Sequence, residues 1–144
     1  MIGPRLATTS LITAGIGTTV MGGFHFFLPQ IFAWGGSMQA LPSELQWALG
    51  GMNAFLSLLL LSGGLATLLA LRPRSTLGTW PARSMTVFWA FNACYQVLRP
   101  FPTPGVRWVL LGFALAVAAL YLLGAFARST PPAPPGNRSA EGAV

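Results

Sequence analysis

The sequence predicts an all-α integral membrane protein, a four-helix bundle with both termini in the cytoplasm. Three observations predict it. Of the 144 residues, 53% are hydrophobic and only 7% charged, with a mean hydropathy of +0.64, whereas a soluble domain carries roughly 25% charged residues. The apolar residues fall into four blocks, each of a length suited to crossing roughly 30 Å of hydrocarbon. The net charge of +6 comes from eight Arg and two Glu, with no Lys or Asp, and the Arg residues stand singly between the blocks. A nucleic-acid binder gathers its basic residues on one face or tail. Membrane lipids are therefore the implied partners rather than nucleic acid, with a membrane-protein partner or a second copy of the chain left open.

The first span covers about residues 6–27, uncharged throughout and preceded by Arg5. It exceeds the usual 7 to 15 residues of a signal-peptide core, and no small-x-small cleavage site follows, so it reads as a retained span. Leu28 to Glu44 contains Ile31, Phe32, Trp34, Met38 and Leu41 but no Arg. Aromatic rings favour the headgroup level, so this connection reads as a short helix or loop, either at the interface or over the outer mouth of the bundle. The second span, about 46–71, is closed by Arg72-Pro73-Arg74, where proline blocks helix continuation. The third, about 83–98, is short and rich in aromatics, and ends at Arg99-Pro100. The fourth, about 107–126, is dominated by Ala and Leu. Residues 128–144 turn Pro-rich and polar and read as a disordered tail.

Arg5, Arg72, Arg74, Arg83, Arg128 and Arg138 fall on one side of this topology and only Arg99 and Arg107 on the other. The positive-inside rule then puts the termini and the central connection in the cytoplasm.

Polar residues within spans normally face a neighbouring helix or a cavity. Thr18, Gly22, His25 and Pro29 form one stripe, Gln46, Gly50, Asn53 and Ser57 a second, and Trp89, Asn92, Gln96 and Arg99 a third, all at helical spacing. At 1.5 Å per residue, Asn53 lies roughly 10 Å below the start of its span and Asn92 about 9 Å below the end of its own. The stripes thus gather in the outer half, leaving the inner half nearly featureless. His25, Asn53, Asn92 and Gln96 are the candidate cluster, with Glu44, Tyr95 and Arg99 near its mouth. Two roles suit such groups. Interhelical hydrogen bonds act as packing glue worth roughly 0.6 kcal/mol each. Alternatively, an apolar cavity with a few convergent polar groups takes a lipid, quinone or other amphipathic ligand. No catalytic residue is assigned. The alternative of an enzyme using His25 as acid or base lacks a second titratable group within the spans.

Small residues at a spacing of four, Gly15, Thr19 and Gly23 on the first span and Gly112 with Ala116 on the fourth, mark close helix contacts or an oligomer interface. The single Cys94 excludes an intrachain disulfide and reads as a small buried hydrophobe. One His, one Cys and two Glu leave no donor set for a metal. Phosphate-loop, nucleophile-elbow and zinc-protease motifs are all missing. A channel or proton path expects ionisable groups deep in the spans, and the deep halves hold none.

His25-Phe26-Phe27-Leu28-Pro29-Gln30-Ile31-Phe32-Ala33-Trp34, then Asn53-Ala54-Phe55, Gly63-Gly64, Phe88-Trp89-Ala90 and Gln96, resemble a family of small bacterial four-span membrane proteins. Its pattern is H-x-x-x-P-x-x-F-x-W, a polar second span, and F-W with a downstream Gln. The likeness runs from about Gly22 to Ala127. It implies the multi-pass architecture and a bacterial inner (plasma) membrane location, and no activity. His25-Phe26 and Pro29 are also similar, more weakly, to the H-F-x-x-P start of DoxX-like membrane proteins, some of which are linked with quinone-coupled sulfur oxidation or redox-stress complexes. Those proteins usually carry a Glu in the second span, where this chain has Asn53 and Ser57. The function expected from the sequence is therefore that of a binding or accessory subunit with an outward-facing polar pocket. A DoxX-like redox or lipid- and quinone-handling enzyme is the alternative.

Overall fold

The computed structural model describes residues 3–128, and among them the chain is helix and turn with no strand. The elements are α1 (Pro4–Ile31), α2 (Trp34–Met38), α3 (Ser43–Ala70), α4 (Trp80–Leu98) and α5 (Pro104–Arg128). Three of these, α1, α3 and α5, are long and apolar enough to cross a membrane; α4, at 19 residues, is not among them. Beyond Arg128, the tail expected over 128–144 lies outside the described residues.

Proline sets the start of each long helix. Pro4 and Pro104 are the first residues of α1 and α5, Pro42 is the N-cap of α3, and Pro81 stands in the first turn of α4. The fixed φ of proline suits a first turn, where its missing N–H leaves no bond unmade. All four helices consequently begin two to three residues before the spans expected from the sequence. At the other end α1 runs through Pro29 and stops at Ile31. The connection to α3 then turns at Ala33, whose φ of 48° is left-handed, and forms the short helix α2, which buries none of its residues. Of the readings open for this segment, the structure has the short helix.

The four long helices pack as a closed ring of neighbours, α1 against α3 and α5, and α4 against α5 and, over a shorter stretch, α3. Successive long helices run antiparallel, as the pairs in contact show. Gly15 of α1 meets Leu68 of α3 and Gly22 meets Leu61, while Gly124 of α5 lies over Leu11 and the Ala7 carbonyl of α1. These contacts have almost no clearance. A Cβ on Gly22 would stand 2.6 Å from the Leu61 backbone nitrogen, and one on Gly64 would stand 2.7 Å from the Thr19 nitrogen and 2.8 Å from the Gly15 oxygen. In hydrocarbon, where lipid tails are as apolar as leucine, close backbone approach of this kind is what drives helix association. Gly23 and Gly112, in contrast, have nothing within reach of a Cβ, and Ala116 is exposed. The sequence pattern of small residues therefore located the α1 contact at Gly15 and Thr19 but misplaced its continuation and the contact of α5.

The buried face of α4 is Ala82, Met85, Trp89 and Ala93. Cys94 is one residue further round and is exposed, which corrects the expectation that it is buried. A second correction concerns the half of the bundle nearer Arg5, Arg72, Arg74 and Arg83, which holds buried hydroxyls where few polar features were expected. Ser10 and Thr67 are buried there, and Tyr121, fully buried, donates to the Thr18 hydroxyl at 3.1 Å. The Trp89 indole donates to the same oxygen at 3.0 Å. Thr18 thus joins α1, α4 and α5 at one point near mid-depth. Such polar joints fix helix register, because leaving any of these groups unpaired in an apolar interior is costly.

Large apolar side chains also cover the outside of the bundle. Met52, Phe55, Val87, Phe91, Leu98 and Val109 are each at least two-thirds exposed. A continuous apolar surface on every long helix would drive aggregation in water, and it is the surface expected of helices in lipid.

Candidate functional site

A cavity of about 300 Å³ lies between the four long helices, in the half of the bundle nearer the C-termini of α1 and α4. α1 contributes Met21, Phe24, His25 and Leu28, with Phe32 just beyond it; α3 contributes Leu56 and Leu60. α4 contributes Phe88, Trp89, Asn92 and Gln96, and α5 Val106, Leu110 and Phe113, with Phe101 from the connection between them. The aromatic wall is ordered edge to face. Trp89 meets Phe113 with ring centres 5.3 Å apart and Phe88 at 5.4 Å, the geometry that aromatic quadrupoles favour. Trp89 is also tied down by its bond to Thr18, so the floor of the cavity is pinned to the packing node beneath it.

Three polar side chains enter this apolar space: His25, Asn92 and Gln96. Nδ1 of His25 lies 2.9 Å from the Met21 carbonyl oxygen, one turn back in its own helix. A carbonyl only accepts, so Nδ1 carries the hydrogen. Nε2 of the neutral ring is then a hydrogen-bond acceptor, and its tautomer is set by the helix itself. The amides of Asn92 and Gln96 stand one turn apart on α4 and offer both donors and acceptors. All three side chains are half-buried, and among the described residues neither His25 Nε2 nor either amide has a hydrogen-bond partner. The arrangement supplies an acceptor on one wall, two amides on another, and aromatic rings between.

The other four residues singled out in the sequence lie elsewhere. Asn53 is half-buried at the α1–α3 contact, and its Nδ2 donates to the backbone oxygen of His25 at 2.9 Å. This bond follows from Pro29. A residue at position 29 would normally give its N–H to the carbonyl four residues back, and proline has none. The His25 oxygen is thereby freed, and Asn53 reaches across from α3 to take it, the remedy by which membrane helices tolerate proline. Glu44 is exposed in the first turn of α3, where a carboxylate suits the positive end of the helix dipole. Tyr95 faces outward from α4, and Arg99 is exposed just past its end. None of Glu44, Tyr95 and Arg99 lines the cavity.

Sequence reasoning left out the apolar wall. Trp89 shares a stripe with Asn92 and Gln96 and was within reach on that ground. Leu110 and Phe113 of α5 carry no polar marker, and nothing in their local sequence separates cavity from core.

Comparison with known proteins adds no relative: no family model, no curated protein and no solved structure matches this chain.

Proposed function

We propose that the protein crosses a membrane four times, with both termini on the cytoplasmic side, and binds an amphipathic ligand in the cavity behind His25, Asn92 and Gln96. The observation that carries this reading is the unspent polar valence of those three side chains in an otherwise aromatic and aliphatic chamber. A group with no purpose other than packing would be expected to close its hydrogen bonds on the protein, as Asn53 and Thr18 do. At about 300 Å³ the chamber is at the small end of ligand sites. It suits a compact head with hydrogen-bonding oxygens, such as that of a quinone or a lipid, whose alkyl chain extends away between the helices. A ligand hydroxyl would donate to Nε2 of His25, while a carbonyl or second hydroxyl would meet the amides.

The fourth crossing is α4. Its 19 residues rise about 28 Å at 1.5 Å each, close to the hydrocarbon thickness of about 30 Å, and it lies alongside α5 within the ring of long helices. With Arg5, Arg72, Arg74 and Arg83 on the cytoplasmic side, the cavity sits in the outer half. With His25 as the one titratable group lining this chamber, the role most in keeping with it is that of a binding or accessory subunit of the bacterial inner membrane.

The test is extraction of the protein in mild detergent, followed by mass spectrometry of small molecules that accompany it. The wild-type chain should retain an amphipathic molecule in near-stoichiometric amount. Leu110→Trp, which fills the chamber, and the pair Asn92→Leu with Gln96→Leu should lose it while melting within a few degrees of the wild type. An identical organic extract from wild type and both variants would overturn the reading.

A further inference from the structure

A second recess of about 300 Å³ opens on the outer surface between α4 and α5, at the opposite end of the bundle from the cavity. Its walls are Thr86 and Val87 of α4 and Leu122, Ala125 and Phe126 of α5, with Arg83 at one end. The Thr86 hydroxyl is spent on the Ala82 carbonyl at 2.9 Å, so what the groove offers is apolar. Val87 and Phe126 are largely exposed, and in a bilayer they would touch lipid. Arg83 is itself exposed, one turn before Val87 on α4, at the level where that helix begins. Arg5, Arg72 and Arg74 lie at the same end, and Glu44 at the other. A groove of hydrocarbon character closed by a guanidinium matches one class of molecule, an acyl chain bearing an anionic head.

We infer that the α4–α5 groove is a specific site for an anionic phospholipid, with one acyl chain along Val87 and Leu122 and the phosphate on Arg83. The five N–H donors of a guanidinium allow it to hold a phosphate oxygen pair while keeping a contact to the protein. Basic recesses between helices on the cytoplasmic side are recognised lipid sites, and each basic residue near the surface adds an attraction equivalent to about a fivefold preference. The site rests on the chain lying in a membrane and is independent of what fills the cavity near His25.

Native mass spectrometry of the delipidated protein, titrated with phosphatidylglycerol or phosphatidylcholine of identical acyl chains, tests it. The wild type should hold the first bound phosphatidylglycerol about fivefold more tightly than phosphatidylcholine. Arg83→Gln should bring the two lipids within twofold of each other, Val87→Trp should weaken both by obstructing the chain, and Arg72→Gln with Arg74→Gln should keep the preference. Leu110→Trp should also keep it, which separates this site from the cavity. Equal binding of the two lipids by the wild type overturns the inference. So does a preference that survives Arg83→Gln, or one lost equally in the Arg72 and Arg74 pair, which would mark a diffuse attraction to the Arg-rich end.

Discussion

Pro29 and Asn53, twenty-four residues apart in the sequence and on different helices, act as one unit. The proline removes a donor that the His25 carbonyl would have used, and the asparagine replaces it from α3 at 2.9 Å. Asn53→Leu should therefore lower stability by about 1 kcal/mol, the order of cost of leaving a buried carbonyl unpaired. In a Pro29→Ala background the same change should cost much less, because the alanine N–H restores the bond within α1. Unfolding of the four proteins of this cycle in detergent measures the coupling, and equal costs in the two backgrounds would refute it. The convergence of His25, Asn92 and Gln96 was legible because polar residues at helical spacing stand out in apolar spans. The task of Asn53 was not, since it depends on the neighbour that receives its amide. Tyr95 and Arg99 share the polarity of that cluster but not its direction, as Tyr95 is next to Gln96 in sequence and about 100° away from it around the helix.

Glycine decides how the helices meet, and which glycines do so is a matter of angle. From Gly15, a step of seven residues returns to within about 20° of the starting direction, whereas a step of eight is about 80° away. Gly22 consequently faces α3 and Gly23 does not, although counting by fours selects Gly23. The helix starts show a comparable limit. The expected spans begin where the polar residues end, but proline marks where the backbone turns, and the helices start two to three residues earlier than the spans. Gly22→Ala and Gly64→Ala should each destabilise by about 1 to 3 kcal/mol, since the new methyl meets backbone atoms that cannot swing aside. Gly112→Ala, with open space around it, should be neutral or stabilise through better helix propensity. Thermal unfolding in one detergent compares all three. A cost for Gly112→Ala as large as that for Gly64→Ala would place a contact on the outer face of α5, such as a second copy of the chain.

At the scale of the whole molecule, the same polarity that identifies the apolar helices carries the proposed orientation. Among the described residues, four Arg (Arg5, Arg72, Arg74 and Arg83) and the last residue of α5, Arg128, stand at one end of the bundle, against Arg99 and Arg107 at the other. Arg107 stacks its guanidinium 4.5 Å over the ring of Trp108, the kind of aromatic belt contact found at either interface. On the proposed topology, charge retention on the cytoplasmic side during insertion sets α1 running outward, and the antiparallel ring of helices carries that choice through all four. Cys94 must be removed before this is tested with thiol reagents, because it is exposed on α4. In a Cys94→Ala background, Gln39→Cys lies between α2 and α3 and Thr76→Cys between α3 and α4, both at exposed positions. A membrane-impermeant maleimide added to intact cells should label Gln39→Cys, and should label Thr76→Cys only after the membrane is opened. Both positions labelled in intact cells would put the two connections on one side and remove α3 as a crossing. The reverse pattern would keep every crossing but turn the cavity to the cytoplasm, and with it the compartment from which any polar head reaches His25.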